Sequence, residues 1–206
     1  MSTSSAEVFV STPFAGKFVK SALFTLLLIP LAIPIYWFYT NALGANPIET
    51  INRWTGDWAL RVLLLTLAVS PLRRLTGWNN FIQYRRMLGL FAFFYVCMHI
   101  SSYIILDQFF DFGAIFDDVI KRPFITAGFT SFLMLIPLAV TSTKKMVERL
   151  QHRWIILHRL IYIIGMVVVL HFWWMVKIDT REPAIYAGIL AVLLGYRLFY
   201  YIKRKI

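Results

Sequence analysis

Long apolar runs separated by short polar connections dominate the chain from residue 21 onward. A helix needs about 20 mostly apolar residues to cross the hydrocarbon core of a bilayer, and six runs approach that length. The predicted spans are Ser21–Thr40, Trp58–Pro71, Met87–Leu106, Phe124–Thr141, Ile155–Val176 and Ala184–Tyr201. The second is short and is expected to extend to either side. The pattern predicts an all-α, polytopic membrane helix bundle of about six transmembrane helices.

The connections between these runs are too short to hold a separate soluble domain, so we expect one membrane domain over residues 21–206. The first 20 residues are small and polar. They lack the cationic segment and short apolar segment that together mark a cleaved signal, and we expect residues 1–20 to form a flexible cytoplasmic tail. No internal repeat is evident.

Composition supports the membrane setting. Of 206 residues, 59% are hydrophobic and only 15% are charged, which leaves too little polar surface for a soluble domain. The single cysteine, Cys97, excludes an internal disulfide and a cysteine-ligated cluster within this chain.

The net charge of +11 is distributed as in an oriented membrane protein, which argues against nucleic-acid binding. Thirteen basic residues lie on the side that holds both termini, and six lie on the other side, among five aspartates. The thirteen are Lys17, Lys20, Arg73, Arg74, Arg85, Arg86, Lys144, Lys145, Arg149, Arg153, Lys203, Arg204 and Lys205. The positive-inside rule then predicts a multi-pass membrane protein with both termini in the cytoplasm.

This topology allows the distance of each histidine in a span from the cytoplasmic edge of the membrane to be calculated. At 1.5 Å per helical residue, His99 lies roughly 20 Å, His158 roughly 6 Å and His171 roughly 25 Å from the cytoplasmic edge. His99 and His171 therefore share the outer half of the membrane, whereas His99 and His158 lie too far apart to bind one metal ion. Depth selects His99 with His171.

Two neutral imidazoles that face each other in an apolar bundle suit the axial ligation of a b-type haem. The second nitrogen of each ring then needs an acceptor, either a helix carbonyl or a hydroxyl such as those of Ser101, Ser102 and Thr130. Two other classes stay open. One is a small transporter with a histidine proton or metal relay, disfavoured because the predicted spans contain no carboxylate. The other is a structural anchor whose histidines serve only packing.

Several fragments, in order along nearly the whole chain, resemble the MsrQ (YedZ) family. Its members are haem-binding membrane subunits of periplasmic protein-methionine-sulfoxide reductase systems, within the wider ferric-reductase-like transmembrane group. The fragments are "LGANPIE", "RRMLGLFAF", "MHISSY", "KRPFITAGF", "TST", "RWIILHRLIY" and "HFWWMVK".

In that wider group, two haems lie between the third and fifth helices. The fifth helix bears histidines thirteen apart, matched by His158 and His171, and the third bears two histidines fourteen apart. Here the outer one is His99, but the inner position is Arg85, whose guanidinium offers no lone pair to iron. The resemblance thus implies one haem b and leaves a second open. It also leaves Arg85 free to pair with a haem propionate or a flavin phosphate, or to serve as a positive-inside anchor.

Three alternative roles stay open for His158: ligation of a second haem, contact with a flavin or quinone, or hydrogen bonding within the bundle alone. His152 is expected to be solvated.

The resemblance also implies the function. Electrons would come from the quinone pool or a cytoplasmic flavin reductase, pass through FMN and haem, and reach a periplasmic molybdopterin reductase that repairs methionine sulfoxide. The catalytic site would then belong to that partner. We expect the partner to dock on the outer connections, chiefly Asp107–Pro123 and Lys177–Pro183. The first, rich in aspartate and phenylalanine, is either a docking surface or a segment that rests on the outer leaflet.

Overall fold

The computed structural model describes residues 13–176 and 178–203, with side chains from residue 17 onward. Every regular element in these ranges is helical, as the sequence predicts. The α-helices are α1 (Pro13–Tyr39), α2 (Pro47–Thr76), α3 (Arg85–Ser102), α4 (Phe112–Lys121), α5 (Pro123–Val140), α6 (Lys144–Leu150), α7 (His152–His158), α8 (Leu160–Met175) and α9 (Arg181–Lys203). A 3-10 turn, Asn79–Tyr84, leads into α3, and a π-helical turn, Tyr103–Asp107, extends it.

Within the described residues, six helical segments are long and apolar enough to cross a membrane, which confirms the predicted number. They are Lys17–Tyr39, Pro47–Thr76, Asn79–Asp107, Pro123–Val140, His152–Met175 and Arg181–Lys203. The third consists of α3 with its two flanking turns, and the fifth consists of α7 followed by α8.

Helix α2 has 30 residues and is about twice as long as the predicted run Trp58–Pro71. Charged residues interrupt the apolar pattern before that run, but the helix pairs them at a spacing of four residues. Glu49 and Arg53 lie 2.8 Å apart, and Asp57 and Arg61 lie 3.7 Å apart. Such pairs stabilise a helix, so the charges extend α2 rather than end it.

Asp57 lies in α2, immediately before the predicted apolar run Trp58–Pro71. Its side chain is about one-quarter exposed and faces Arg61. The Nε of Arg61 donates a hydrogen bond of 2.9 Å to the hydroxyl of Tyr186 on α9. The carboxylate therefore belongs to a pair that links α2 to α9.

Residues Leu43–Ile206 form one compact unit, and the described part of this unit has an apolar core shared by α2, α8 and α9. The core residues are Leu60, Leu64, Leu67, Val169, Phe172 and Leu190. Arg197 of α9 donates to the backbone carbonyl of Leu67. In a regular helix this carbonyl would accept from residue 71, but Pro71 has no N–H. The guanidinium thus binds a carbonyl that the proline leaves without its helical donor.

Residues Met1–Ala42 form the other unit, in which α1 is the helix described. Because α1 begins at Pro13, the last eight residues of the predicted tail are helical. Residues 1–12 of that tail lie outside the described residues. Pro30 and Pro34 occur inside α1.

Two short helices mark opposite ends of the spans in residues 43–203. Helix α4 connects the third span to the fourth, and the Asp111 side chain caps it by accepting from the N–H of Ala114. Helix α6 connects the fourth span to the fifth, and Thr143 caps it by accepting from the N–H of Met146. We refer to these ends as the α4 side and the α6 side.

Candidate functional site

His99 and His171 meet on the α4 side of the spans. His99 lies in the last turn of α3, and His171 lies one turn before the end of α8. Their ring centroids are 6.3 Å apart, and their ring planes are inclined by 76°. Two histidines that are 72 positions apart in the sequence therefore face each other within one helix bundle.

Each ring is held by a backbone carbonyl of a neighbouring helix. The Nδ1 of His99 lies 3.0 Å from the carbonyl oxygen of Asn52 on α2. The Nδ1 of His171 lies 2.6 Å from the carbonyl oxygen of Phe124 on α5. A carbonyl only accepts, so each Nδ1 carries the proton, and each Nε2 keeps its lone pair.

These contacts identify the hydrogen-bond acceptor of the second nitrogen in each ring. A helix carbonyl was one of the two predicted acceptors, and it is the one observed. Of the candidate hydroxyls, that of Ser102 donates instead to the carbonyl of His99, at 2.8 Å. The histidine side chains are thus bound to backbone atoms, which stay in place as long as the helices do.

The centroid separation of the pair matches that of two imidazoles on one metal ion. A ring nitrogen lies about 1.1 Å from the centre of its own imidazole, and bonds from imidazole to a transition metal are about 2 Å long. Two axial imidazoles on one ion therefore have centroids roughly 6.2 Å apart, close to the observed 6.3 Å. Both rings present Nε2 as the lone-pair nitrogen, and each Nδ1–H donates to a carbonyl, as is usual for a histidine that binds a metal ion. The residues present fit haem iron, although their role as ligands stays a prediction.

Two glycines that sequence reasoning missed lie directly against the imidazoles. A Cβ on Gly56 would lie 3.1 Å from the Cε1 and Nδ1 atoms of His99. A Cβ on Gly128 would lie 2.9 Å from the same two atoms of His171. Each ring occupies the space that a side chain would otherwise fill.

His158 lies away from this pair, on the α6 side. Its ring stacks on the indole of Trp154, with centroids 3.9 Å apart and planes inclined by 26°. Its Nδ1 is 3.1 Å from the carbonyl oxygen of Trp154, one turn earlier in its own helix. Its Nε2 is buried and has no hydrogen-bond partner within the part of the chain that the structure describes.

A cavity of about 520 Å³ lies beside His158. The charged residues that line it are Arg85, Arg86, Lys144 and Glu148, and most of the remaining lining is apolar. The volume falls within the range of roughly 300–1,000 Å³ typical of small-molecule sites. Three cations against one carboxylate favour a ligand with a negatively charged group. Both Arg85 and His158 therefore belong to one candidate site, separate from the paired histidines.

Comparison with known proteins places these features in a family. Residues 55–170 match the family described as ferric reductase like transmembrane component. A relative from Xanthomonas campestris pv. campestris (strain 8004) is 51% identical over 186 residues, covering 87% of this chain and 85% of the relative. A relative from Herminiimonas arsenicoxydans is 52% identical over 185 residues, with 88% and 85% coverage. Both are named protein-methionine-sulfoxide reductase heme-binding subunit MsrQ. No solved structure matches the chain.

Proposed function

Since the chain belongs to the ferric-reductase-like transmembrane family and, within it, to the MsrQ subunits, we propose that it is a haem-binding electron-transfer subunit. It passes electrons to a periplasmic molybdopterin-containing reductase, which repairs methionine sulfoxide in oxidised proteins. The substrate chemistry belongs to that partner. The observation that carries this proposal is the facing pair of imidazoles, each held at Nδ1 by a helix carbonyl.

In this proposal His99 and His171 hold one b-type haem through their Nε2 atoms. When bound, haem supplies a one-electron carrier inside the apolar bundle. The carbonyls of Asn52 and Phe124 keep both rings in the tautomer that ligates, and they keep the rings from rotating.

The α6 side faces the cytoplasm in this proposal, and the α4 side faces the periplasm. The thirteen-to-six distribution of basic residues supports this orientation. It places His99 and His171 in the outer half of the membrane, where a periplasmic acceptor is near. It also places the cavity beside His158 in the inner half, where a cytoplasmic or membrane-dissolved donor has access.

A reporter fused after Ile206 tests this orientation. A reporter that works only in the cytoplasm should be active at this position, and one that works only in the periplasm should be inactive. Both termini are assigned to the cytoplasmic side. Activity of a periplasmic reporter at the same position would invert the topology and move His171 to the inner half.

We assign the cavity to electron input. Its apolar lining suits the ring system of a flavin or a quinone, and its excess of cations suits the phosphate of FMN. The buried Nε2 of His158 offers either a hydrogen bond to such a ring or a ligand to a second haem. Donors of the two proposed kinds, the quinone pool and a cytoplasmic flavin reductase, would both deliver electrons there.

Reconstitution with the partner tests the function as a whole. The purified subunit is reduced by a quinol or by a flavin reductase, and the reduced haem band is followed after addition of the periplasmic reductase with methionine sulfoxide. We expect reoxidation that requires both the reductase and the sulfoxide. A colourless subunit, with no haem band to follow, would instead support the relay transporter or the structural anchor.

A further inference from the structure

The two histidine environments are copies of one arrangement. Asn52 and Phe124 provide the carbonyls, Gly56 and Gly128 contact the rings, and the rings belong to His99 and His171. In each of these three pairs the second residue follows the first by 72 positions. The pair α2 and α3 and the pair α5 and α8 thus place a carbonyl, a glycine and a histidine at the site with the same spacing along the sequence.

The spacing between carbonyl and glycine has a physical reason. In an α-helix the carbonyl of residue i points toward the N–H of residue i+4, and the glycine occupies position i+4 in both α2 and α5. A side chain there would stand beside the carbonyl oxygen and block access from a neighbouring helix. Glycine costs about 1 kcal/mol in a helix relative to alanine, so its presence at both positions calls for a local reason, and the imidazole supplies one.

We propose that Gly56 and Gly128 are the positioning residues for the two axial imidazoles. This inference rests on the proposed ligation of haem by His99 and His171. By admitting each ring to its carbonyl, the glycines fix the ring plane and keep the hydrogen bond at Nδ1–H. A hydrogen bond at that atom raises the basicity of the imidazole. A more basic ligand stabilises ferric over ferrous iron, so the glycines hold the reduction potential down.

The two positions are not equivalent in detail. The contact is closer at Gly128, where a Cβ would lie 2.9 Å from the ring, than at Gly56, where it would lie 3.1 Å away. The hydrogen bond is also shorter at His171, at 2.6 Å, than at His99, at 3.0 Å. An added methyl group should therefore displace His171 from Phe124 more than it displaces His99 from Asn52.

The test compares Gly128→Ala and Gly56→Ala with Gly188→Ala and Gly195→Ala. The last two are matched controls in a spanning helix, because a Cβ at either position meets nothing within 4 Å. Each purified variant is assayed for haem per chain, for midpoint potential by redox titration, and for the low-spin signal by electron paramagnetic resonance. We expect Gly128→Ala to raise the potential and convert part of the haem to high spin. We expect Gly56→Ala to act in the same direction by less, and the controls to match wild type.

Adding free imidazole distinguishes a displaced ligand from general destabilisation of the protein, because destabilisation alone would not make the low-spin signal respond to imidazole. It should restore the low-spin signal in Gly128→Ala by taking the place of the displaced ring, and it should leave wild type unchanged. If Gly128→Ala does not fold, Gly56→Ala decides with the same measurements. Wild-type potentials and low-spin signals in the folded glycine variants would overturn the inference while leaving the haem proposal intact. A wild-type protein without haem would instead overturn the proposed function.

Discussion

Two histidines of the fifth span, His158 and His171, lie in opposite surroundings, although they are only thirteen residues apart. His171 faces a second imidazole and binds the carbonyl of another helix through Nδ1. His158 faces a cavity with arginines, binds the carbonyl of its own helix, and leaves its Nε2 without a partner in the described part of the chain. The environment of His171 suits a ligand to a fixed cofactor, because its Nδ1 is bound and its ring faces a second imidazole. The environment of His158 leaves Nε2 and the adjoining cavity accessible, as suits a group that exchanges or that enters from solution.

The difference shows how two residues of the same type in one span can serve separate functions. A carbonyl from a neighbouring helix fixes an imidazole relative to that neighbour, as the Phe124 carbonyl does for His171. A carbonyl from the same helix fixes the ring relative to its own backbone, as the Trp154 carbonyl does for His158. Interhelical hydrogen bonds therefore pre-organise the α4 side, whereas the α6 side retains an accommodating space.

Among variants that keep the haem held by His99 and His171, the largest expected effect comes from His158→Ala. Reduction by quinol or flavin reductase should slow at least about tenfold, the scale expected for losing a group that orients a donor or ligates a carrier. Chemical reduction by dithionite and the band of the haem held by His99 and His171 should be unchanged. Stopped-flow spectroscopy with each reductant measures both quantities.

Analysis of bound cofactors in His158→Ala also separates the open roles of this residue. Loss of one haem per chain would identify it as a ligand to a second haem, and loss of FMN alone would identify a flavin contact. An unchanged rate with every physiological donor would contradict the assignment of the cavity to electron input.

Substitution of the cavity arginines should have an intermediate effect. Arg85→Gln and Arg86→Gln each remove a charge-assisted hydrogen-bond donor, which is worth about 1.5–3 kcal/mol when it binds an ionised group. We expect weaker binding of FMN, by roughly tenfold or more, measured by titration of the flavin-depleted protein. Lys145→Gln is a control, because Lys145 lies in α6 but does not line the cavity. Equal affinities in all three variants would show that the arginines serve only to orient the chain.

The smallest expected effect concerns docking at α4. This helix displays exposed aromatic residues, Phe112 and Phe116 among them, beside the exposed pair Asp117–Lys121. If the periplasmic reductase docks there, Asp117→Lys should slow electron transfer to it by roughly two- to tenfold and change its dependence on salt, because surface charges mainly steer encounter. Haem content should not change.

Asp117→Asn provides a graded control for the α4 experiment and should show a smaller change. Asp118 is unsuitable for the test, because its carboxylate accepts from the Tyr103 hydroxyl at 2.9 Å and pairs with Arg122 at 3.1 Å. Transfer rates that stay the same across a range of ionic strengths would show that α4 rests on the outer leaflet.

Much of this arrangement follows from patterns that the sequence displays directly. Apolar runs predict the spans because length and composition decide whether a helix can cross a membrane. The meeting of His99 and His171 follows from depth, because a helix converts residue number into distance along its axis. The excess length of α2 does not follow, since only the folded helix brings Asp57 and Arg61 together.

The parts that escaped prediction depend on backbone atoms. The carbonyls of Asn52 and Phe124 leave no mark in the sequence, because every residue has a carbonyl. Gly56 and Gly128 do leave a mark, each 43 residues before a histidine. However, glycine is frequent in transmembrane helices, so that spacing has meaning only once the two rings are seen in contact with them.

The most direct test of the proposed haem site is the reduced visible spectrum, together with haem per chain, for wild type, His99→Ala, His171→Ala and His158→Ala. We expect wild type to show a sharp b-type α band. His99→Ala and His171→Ala should each lose it, because either variant removes one axial ligand from the same iron. His158→Ala should keep it. Wild-type haem content and low-spin spectra in both His99→Ala and His171→Ala would contradict the pairing of these two histidines as ligands.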